Sequence, residues 1–244
     1  MRKPKLAILI AGHMRSFRLT SPSFLLLRES LKEKYDCKTF IHTWDISESD
    51  STSYYNRPKD FLPEKIDYDL LSRLYSPNAM LIESQVKRED EIVLHNQSKS
   101  GLLYSEYSKY KVNKMKNEYG EFDYALMIRP DIHFYNTNLP DIYDDSFFLG
   151  SVNHSSAACD VITFSTSKNM DKARDYYLVY EDYLSSFKMN NNEAYYLKYL
   201  SESLLNTKFA KYFMPRDWKI VRSWWPSVDH YESDRKTWDR SYYG

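Results

Sequence analysis

The sequence predicts an α/β fold built as one domain, and three observations carry this. Short apolar runs at 6–11 and 124–128 look like buried strands, and longer stretches with helical spacing lie between such runs. The first run ends on Gly12 and leads into a helical pattern, the strand–turn–helix opening of an α/β domain. The chain has 244 residues, enough for one large core, and neither a linker nor an internal repeat divides it.

In order, residues 5–11 are aliphatic and form the first strand, and Gly12 permits a positive φ or a close backbone approach to a ligand. Ser21-Pro22 reads as an N-cap followed by an N1 proline, opening a helix over 23–34 with Phe24, Leu27 and Leu31 on one face. Residues 36–44 alternate as a second strand ending near His42, Trp44 and Asp45. Residues 45–63 are a polar surface loop. A short amphipathic helix is expected at 66–74, a strand at 79–82 and a long helix at 98–119, with Gly120 where a C-cap belongs. Strands follow at 124–128, 147–150 and 159–165, and helices at 167–187 and 193–205. The tail holds Trp218, Trp224, Trp225 and Trp238 among charges.

Composition excludes several classes. The 34 basic residues balance the 34 acidic ones, so no electrostatic case exists for nucleic acid as a partner. No segment approaches the ~20 apolar residues that span a bilayer. The start imitates a signal peptide, but its apolar run is short and no cleavage site follows, so it is read as a strand. Cys37 and Cys159 lie far apart with no zinc spacing, which suits a reducing cytoplasm. With only 5 glycines there is no phosphate-binding glycine loop. The 23 tyrosines offer flat apolar faces with polar tips, suited in part to lining a groove for sugar rings.

The most informative stretch is FDYALMIRPDIHF, residues 122–134. An apolar run turns abruptly polar at Arg129-Pro130-Asp131. Proline lacks an N–H, so Pro130 marks the strand's carboxyl end. Ligands of open α/β sheets bind outside those ends, so Arg129, Asp131 and His133 stand where a site belongs. An extended chain puts all three on one face. A carboxylate and an imidazole can share a divalent cation, and an arginine can neutralise phosphate. The alternative is a local Arg129–Asp131 ion pair capping the strand. Arg15 or His13 would face the same edge from the first turn. At the second strand's end, His42 is either a satisfied structural histidine or part of the site.

Four ordered segments then resemble a known family: AILIAGHMRSF, FIHTWD, LLYSEYSKYKVNKMK and FDYALMIRPDIHF. Together they are similar to the small bacterial glycosyltransferases of capsule and lipopolysaccharide gene clusters, over roughly residues 5–165. The resemblance implies a GT-A-like fold, with a Rossmann-like mixed central sheet flanked by helices. Residues 1–134 would form the nucleotide-sugar half and 135–244 the acceptor half and tail. It further implies a nucleotide-sugar donor, UDP-linked by analogy, and a glycan or lipid-linked glycan acceptor. The latter would place the protein in the cytoplasm, with peripheral association at the inner membrane face. Arg-Pro-Asp would stand in for Asp-x-Asp, with Asp131 holding Mn²⁺ or Mg²⁺ on the diphosphate. Only one acid is present, however. Either Asp131 anchors the metal with help from His133 or His154, or Arg129 takes over part of the charge.

Such transfer needs a stabilised diphosphate, a base for the acceptor hydroxyl if the reaction inverts, and exclusion of water. Gly12, Arg15, Arg129 and His42 are the donor-binding candidates on this resemblance. Asp160, at a strand mouth, and Glu193, in the first turn of a helix, are the candidate bases; the alternatives are a turn cap for Asp160 and a plain dipole-favoured helix acid for Glu193. The 45–63 loop and the tryptophan tail are candidate covers. Two other classes stay open: a nucleotidyltransferase, and a carbohydrate-binding protein that kept the fold without the chemistry.

Overall fold

The computed structural model describes residues 2–47, 62–85, 93–94, 97–141, 146–150, 159–187, 192–204, 207–213 and 218–220. The elements are β1 Lys5–Ala11, α1 Phe17–Lys34, β2 Asp36–Trp44, α2 Tyr68–Tyr75, β3 Ala79–Glu83, β4 Val93–Leu94, β5 Gln97–Ser98, α3 Lys99–Tyr119, β6 Tyr124–Ile128, β7 Ile132–Phe134, β8 Ser146–Gly150, β9 Cys159–Thr166, α4 Ser167–Arg174, α5 Tyr176–Ser186, α6 Asn192–Ser203, β10 Lys208–Phe213 and β11 Trp218–Ile220.

Seven strands form the main sheet in the order β10-β8-β9-β6-β1-β2-β3. β3, β2, β1 and β6 run parallel, β9 is antiparallel to β6 and β8, and β10 is parallel to β8. This is the mixed, Rossmann-like α/β sheet flanked by helices that the sequence predicted. Strands from both halves of the chain join it.

β1 lies at the centre, and Leu6 through Ile10 are wholly buried because both faces of the sheet are covered. Leu6, Ile8 and Ile10 pack with Ile41, Leu126 and Ile128 under Phe24, Leu27 and Leu31 of α1. Ala7, Leu9 and Ala11 face the other way, against Val112 of α3 and Met170 of α4. Burying each leucine or isoleucine here contributes about 1.5–3 kcal/mol. A separate core joins β8 to α4, α5 and α6 through Tyr176, Tyr180, Tyr195, Tyr196 and Tyr199. Five tyrosines therefore pack the interior rather than line a groove.

Two expectations change. The first helix starts at Phe17, not Ser23, and carries Pro22 inside it. One missing N–H is tolerable there because tertiary packing holds that turn: Phe17, Thr20, Ser21 and Ser23 are all buried. The helix expected over 167–187 divides at Asp175 into α4 and α5. The structure also adds an element that the sequence reading did not name: β7 pairs antiparallel with β11 in a small second sheet. At the other boundaries agreement is close. β2 spans the expected residues, and α3 ends at Tyr119, followed by Gly120, whose φ of +149° suits glycine.

Candidate active site

The carboxyl ends of β1, β2, β3 and β6 share one rim, and antiparallel β9 begins there. Ile128 pairs with Ile162, and the Arg129 N–H donates to the Val161 carbonyl at 3.2 Å. At this rim three side chains of the predicted set meet. Arg129 grips Asp131 with two parallel hydrogen bonds, Nε to Oδ1 at 3.0 Å and Nη2 to Oδ2. Arg15 arrives from the β1–α1 turn, its Nη1 3.8 Å from Asp131 Oδ2. The Asp131 side chain is 1% exposed, against 13% for Arg15 and 22% for Arg129. The fork-on-carboxylate geometry is the strong form of this ion pair.

Helix α1 fixes the segment that bears Asp131. The Thr20 hydroxyl donates to the Pro130 carbonyl at 2.7 Å, and Ser23 Oγ accepts the Phe134 N–H at 3.1 Å. These buried hydroxyls satisfy backbone groups that a proline-interrupted strand leaves without ladder partners.

Gly12 has a φ of +109°, so the turn bearing His13 and Arg15 needs glycine there. His13 Nδ1 lies 3.1 Å from the Ile46 carbonyl. A carbonyl only accepts, so Nδ1 carries the proton and Nε2 is left as the acceptor nitrogen. Burial, then the nearby Arg15, pushes the His13 pKa down to about 4, so the ring is neutral at pH 7.

His42 is fully buried and both its nitrogens are engaged, Nδ1 by Ser108 Oγ at 2.8 Å and Nε2 by Glu83 Oε2 at 2.7 Å. This is the satisfied-histidine alternative, set one layer beneath the rim. Trp44 stacks on Tyr107 at 5.7 Å and 22°, forming a wall beside His13. His133 lies in β7, packed edge-on against Tyr135 at 5.1 Å, and its register partner in β11 is Lys219.

Asp160 is the second residue of β9, at the rim by backbone position, and Glu193 is the second residue of α6, which packs on α4 and α5. The side chains of both, and all of His154, lie outside the described residues, as do most of the 45–63 loop and Trp224, Trp225 and Trp238 of the tail. Among the described residues no group of three His, Cys, Asp or Glu side chains is arranged to hold a metal ion. The surroundings of Asp131 do not fit a divalent cation either, because two guanidiniums already engage its oxygens and would repel a metal beside it. No described helix is long and apolar enough to cross a membrane.

Sequence reasoning missed Ser108, Thr20 and Ser23. A serine or threonine inside a helix carries no signal of the strand it will touch. Glu83 was legible as a polar strand end, and the pairing of Trp44 with Glu83 brings it beside His42. A cleft of about 840 Å³ lies at the opposite, amino-terminal edge, lined by Arg2, Lys5, Asp123 and Lys168 among others. It is far from the carboxyl ends and takes no part in the site.

No protein-family model matches the chain, and no curated protein matches it. Solved structures with a similar fold include a glycosyltransferase involved in glycosylation of the major capsid of PBCV-1, at 9% identity and TM-score 0.46, covering 85% of this chain and 82% of that one. The glycosyltransferase GlyE of Streptococcus pneumoniae TIGR4 is similar at 7% identity and TM-score 0.46, over 85% of this chain and 46% of that one. The chain thus spans about half the length of GlyE. The nucleoside-diphosphate-sugar pyrophosphorylase of Vibrio cholerae RC9 is similar at 10% identity and TM-score 0.46, covering 93% of this chain and 98% of that one.

Proposed function

We propose that this protein is a glycosyltransferase that moves a sugar from a nucleotide-sugar donor, UDP-linked by family analogy, to a glycan or lipid-linked glycan acceptor of a surface polysaccharide. The observation that carries the proposal is the convergence of Arg15 and Arg129 on Asp131 at the carboxyl rim of β1 and β6. That rim is where open α/β sheets bind ligands, and guanidinium forks match phosphate oxygens. Capsule and lipopolysaccharide synthesis is the context that the four sequence segments support.

In this proposal Arg15 and Arg129 take the charge that builds on the departing diphosphate, and Asp131 holds the two guanidiniums in register. Mn²⁺ or Mg²⁺ at Asp131 would require Arg129 to leave first, so the proposal gives the diphosphate's charge to the arginines. Neutral His13 offers only an acceptor nitrogen, Nε2, so in this proposal it takes a hydrogen bond from a sugar hydroxyl of the donor and none from the diphosphate. Asp160 is the preferred acceptor of the glycan hydroxyl's proton, since β9 begins at this rim. Glu193 is the second choice. Peripheral attachment at the inner membrane face belongs to the lipid-linked version of the acceptor.

The test offers UDP- and GDP-sugars with acceptor oligosaccharides, and separately UTP or GTP with sugar 1-phosphates, and measures released nucleoside diphosphate and pyrophosphate, with and without EDTA. Release of nucleoside diphosphate that survives EDTA and is lost in Arg15→Ala and Arg129→Ala agrees with the proposal. Pyrophosphate release would make the protein a nucleotidyltransferase. Binding of a sugar nucleotide without turnover would make it a carbohydrate-binding protein.

A further inference from the structure

Ser108, His42 and Glu83 contain the residue types of a hydrolytic triad at hydrogen-bond distances, which invites a nucleophilic role. Ser108 and His42 are each wholly buried, so no substrate reaches that hydroxyl. The contacts instead form one directed chain. The Gly12 N–H lies 2.7 Å from Ser108 Oγ and 3.2 Å from the His42 carbonyl. Ser108 Oγ is 2.8 Å from His42 Nδ1, and His42 Nε2 is 2.7 Å from Glu83 Oε2. A carboxylate only accepts, so His42 carries its proton on Nε2 and presents a lone pair at Nδ1. The single Ser108 proton goes to that lone pair at 2.8 Å in preference to the His42 carbonyl, 3.2 Å from the same oxygen, and the serine oxygen accepts the Gly12 amide. Tyr107 donates to the same Glu83 oxygen at 3.1 Å. Burial lowers the His42 pKa, which agrees with a neutral ring.

The chain therefore ties the end of β1 to α3, β2 and β3. What it holds is the Gly12 turn, where φ is +109° and the backbone leaves regular structure before Arg15.

We propose that Ser108 is a positioning residue: backed by His42 and Glu83, it sets the Gly12 turn so that Arg15 reaches Asp131 and, with Arg129, a donor's diphosphate. The diphosphate part rests on the function proposed above. The link from Ser108 to Arg15 does not.

The test compares the full chain with Ser108→Ala, Glu83→Gln and Arg15→Ala. UDP and inorganic pyrophosphate are the binding probes in calorimetry, and nitrogen NMR follows the Gly12 amide, the Arg15 Nε–H and the His42 ring. The expected result is a His42 ring protonated at Nε2 in the parent. In Ser108→Ala the Gly12 and Arg15 signals shift, and UDP binds about tenfold more weakly, the size of one lost hydrogen bond. Glu83→Gln should move both readouts the same way by less. Its side chain is 30% exposed, so it carries the test if Ser108→Ala does not fold. Unchanged Gly12 and Arg15 signals in a folded Ser108→Ala or Glu83→Gln protein would overturn the positioning role. Shifted signals together with normal UDP binding by Arg15→Ala would uphold the brace and reject the diphosphate site instead.

Discussion

Replacing Asp131 separates two roles for it, as buried anchor of two arginines and as metal ligand. The side chain is 1% exposed and engages Arg129 through two bonds and Arg15 at 3.8 Å. Removing one partner of a buried ion pair costs about 3–5 kcal/mol, because the remaining charge stays desolvated. Here the guanidiniums keep 13% and 22% exposure and can turn partly to water, which puts Asp131→Ala at the low end. For a chain of this size, about 3 kcal/mol lowers Tm by roughly 6–12 °C. Asp131→Asn keeps the shape and should lose about half as much. Calorimetric scanning and urea titration measure both. UDP affinity gives the second half of the test. In Asp131→Asn the amide Oδ1 still accepts from Arg129 Nε and so keeps that guanidinium in place, while an incoming anion meets less repulsion. Asp131→Asn should therefore bind UDP as tightly as the parent or more tightly, whereas Arg129→Ala binds at least about tenfold more weakly. A Tm within about 2 °C of the parent for Asp131→Ala would refute the buried-anchor argument. Loss of UDP binding in Asp131→Asn that Mn²⁺ controls in the parent would restore the metal-ligand role.

Three further outcomes are expected. His13 has a folded pKa of about 4 against 6.5 when free, so its stabilising contribution is present above pH 6.5 and drains away as pH falls toward 4. The full effect is roughly 3 kcal/mol, and urea midpoints at pH 7, 5.5 and 4.5 should fall less steeply in His13→Gln than in the parent. Lys116 is wholly buried and donates to Ser167 Oγ and Asp171 Oδ1, each at 2.7 Å, while Asp171 also accepts from Asn113 and Asn117. Lys116→Met should therefore cost about 1–2 kcal/mol in urea unfolding and leave UDP affinity alone, since the pair sits away from the rim. At Gly12 a Cβ would meet nothing within 4 Å, so Gly12→Ala should cost only its backbone strain at φ +109°, roughly 1–3 kcal/mol, seen as a lower Tm without aggregation.

The alternation of apolar runs with amphipathic segments by itself determined the α/β class, the order of β1, α1, β2, α2, β3, α3 and β6, and the extents of β2 and β6. Those features follow from local periodicity, which the chain displays directly. Pro130 marked the strand end and so placed Arg129 and Asp131 at the rim before any contact was known. Other matters depended on residues far apart in sequence. Whether Ser21-Pro22 begins a helix or lies within one was decided by burial of the turn beneath them. Whether His42 faces a ligand or the interior was decided by Ser108, 66 residues away, and by Glu83, 41 away. The charge state of the rim was likewise a tertiary matter. Spacing showed one carboxylate beside one arginine, and only the folding of the β1–α1 turn against β6 brought Arg15 to the same oxygen and made Asp131 a held anchor.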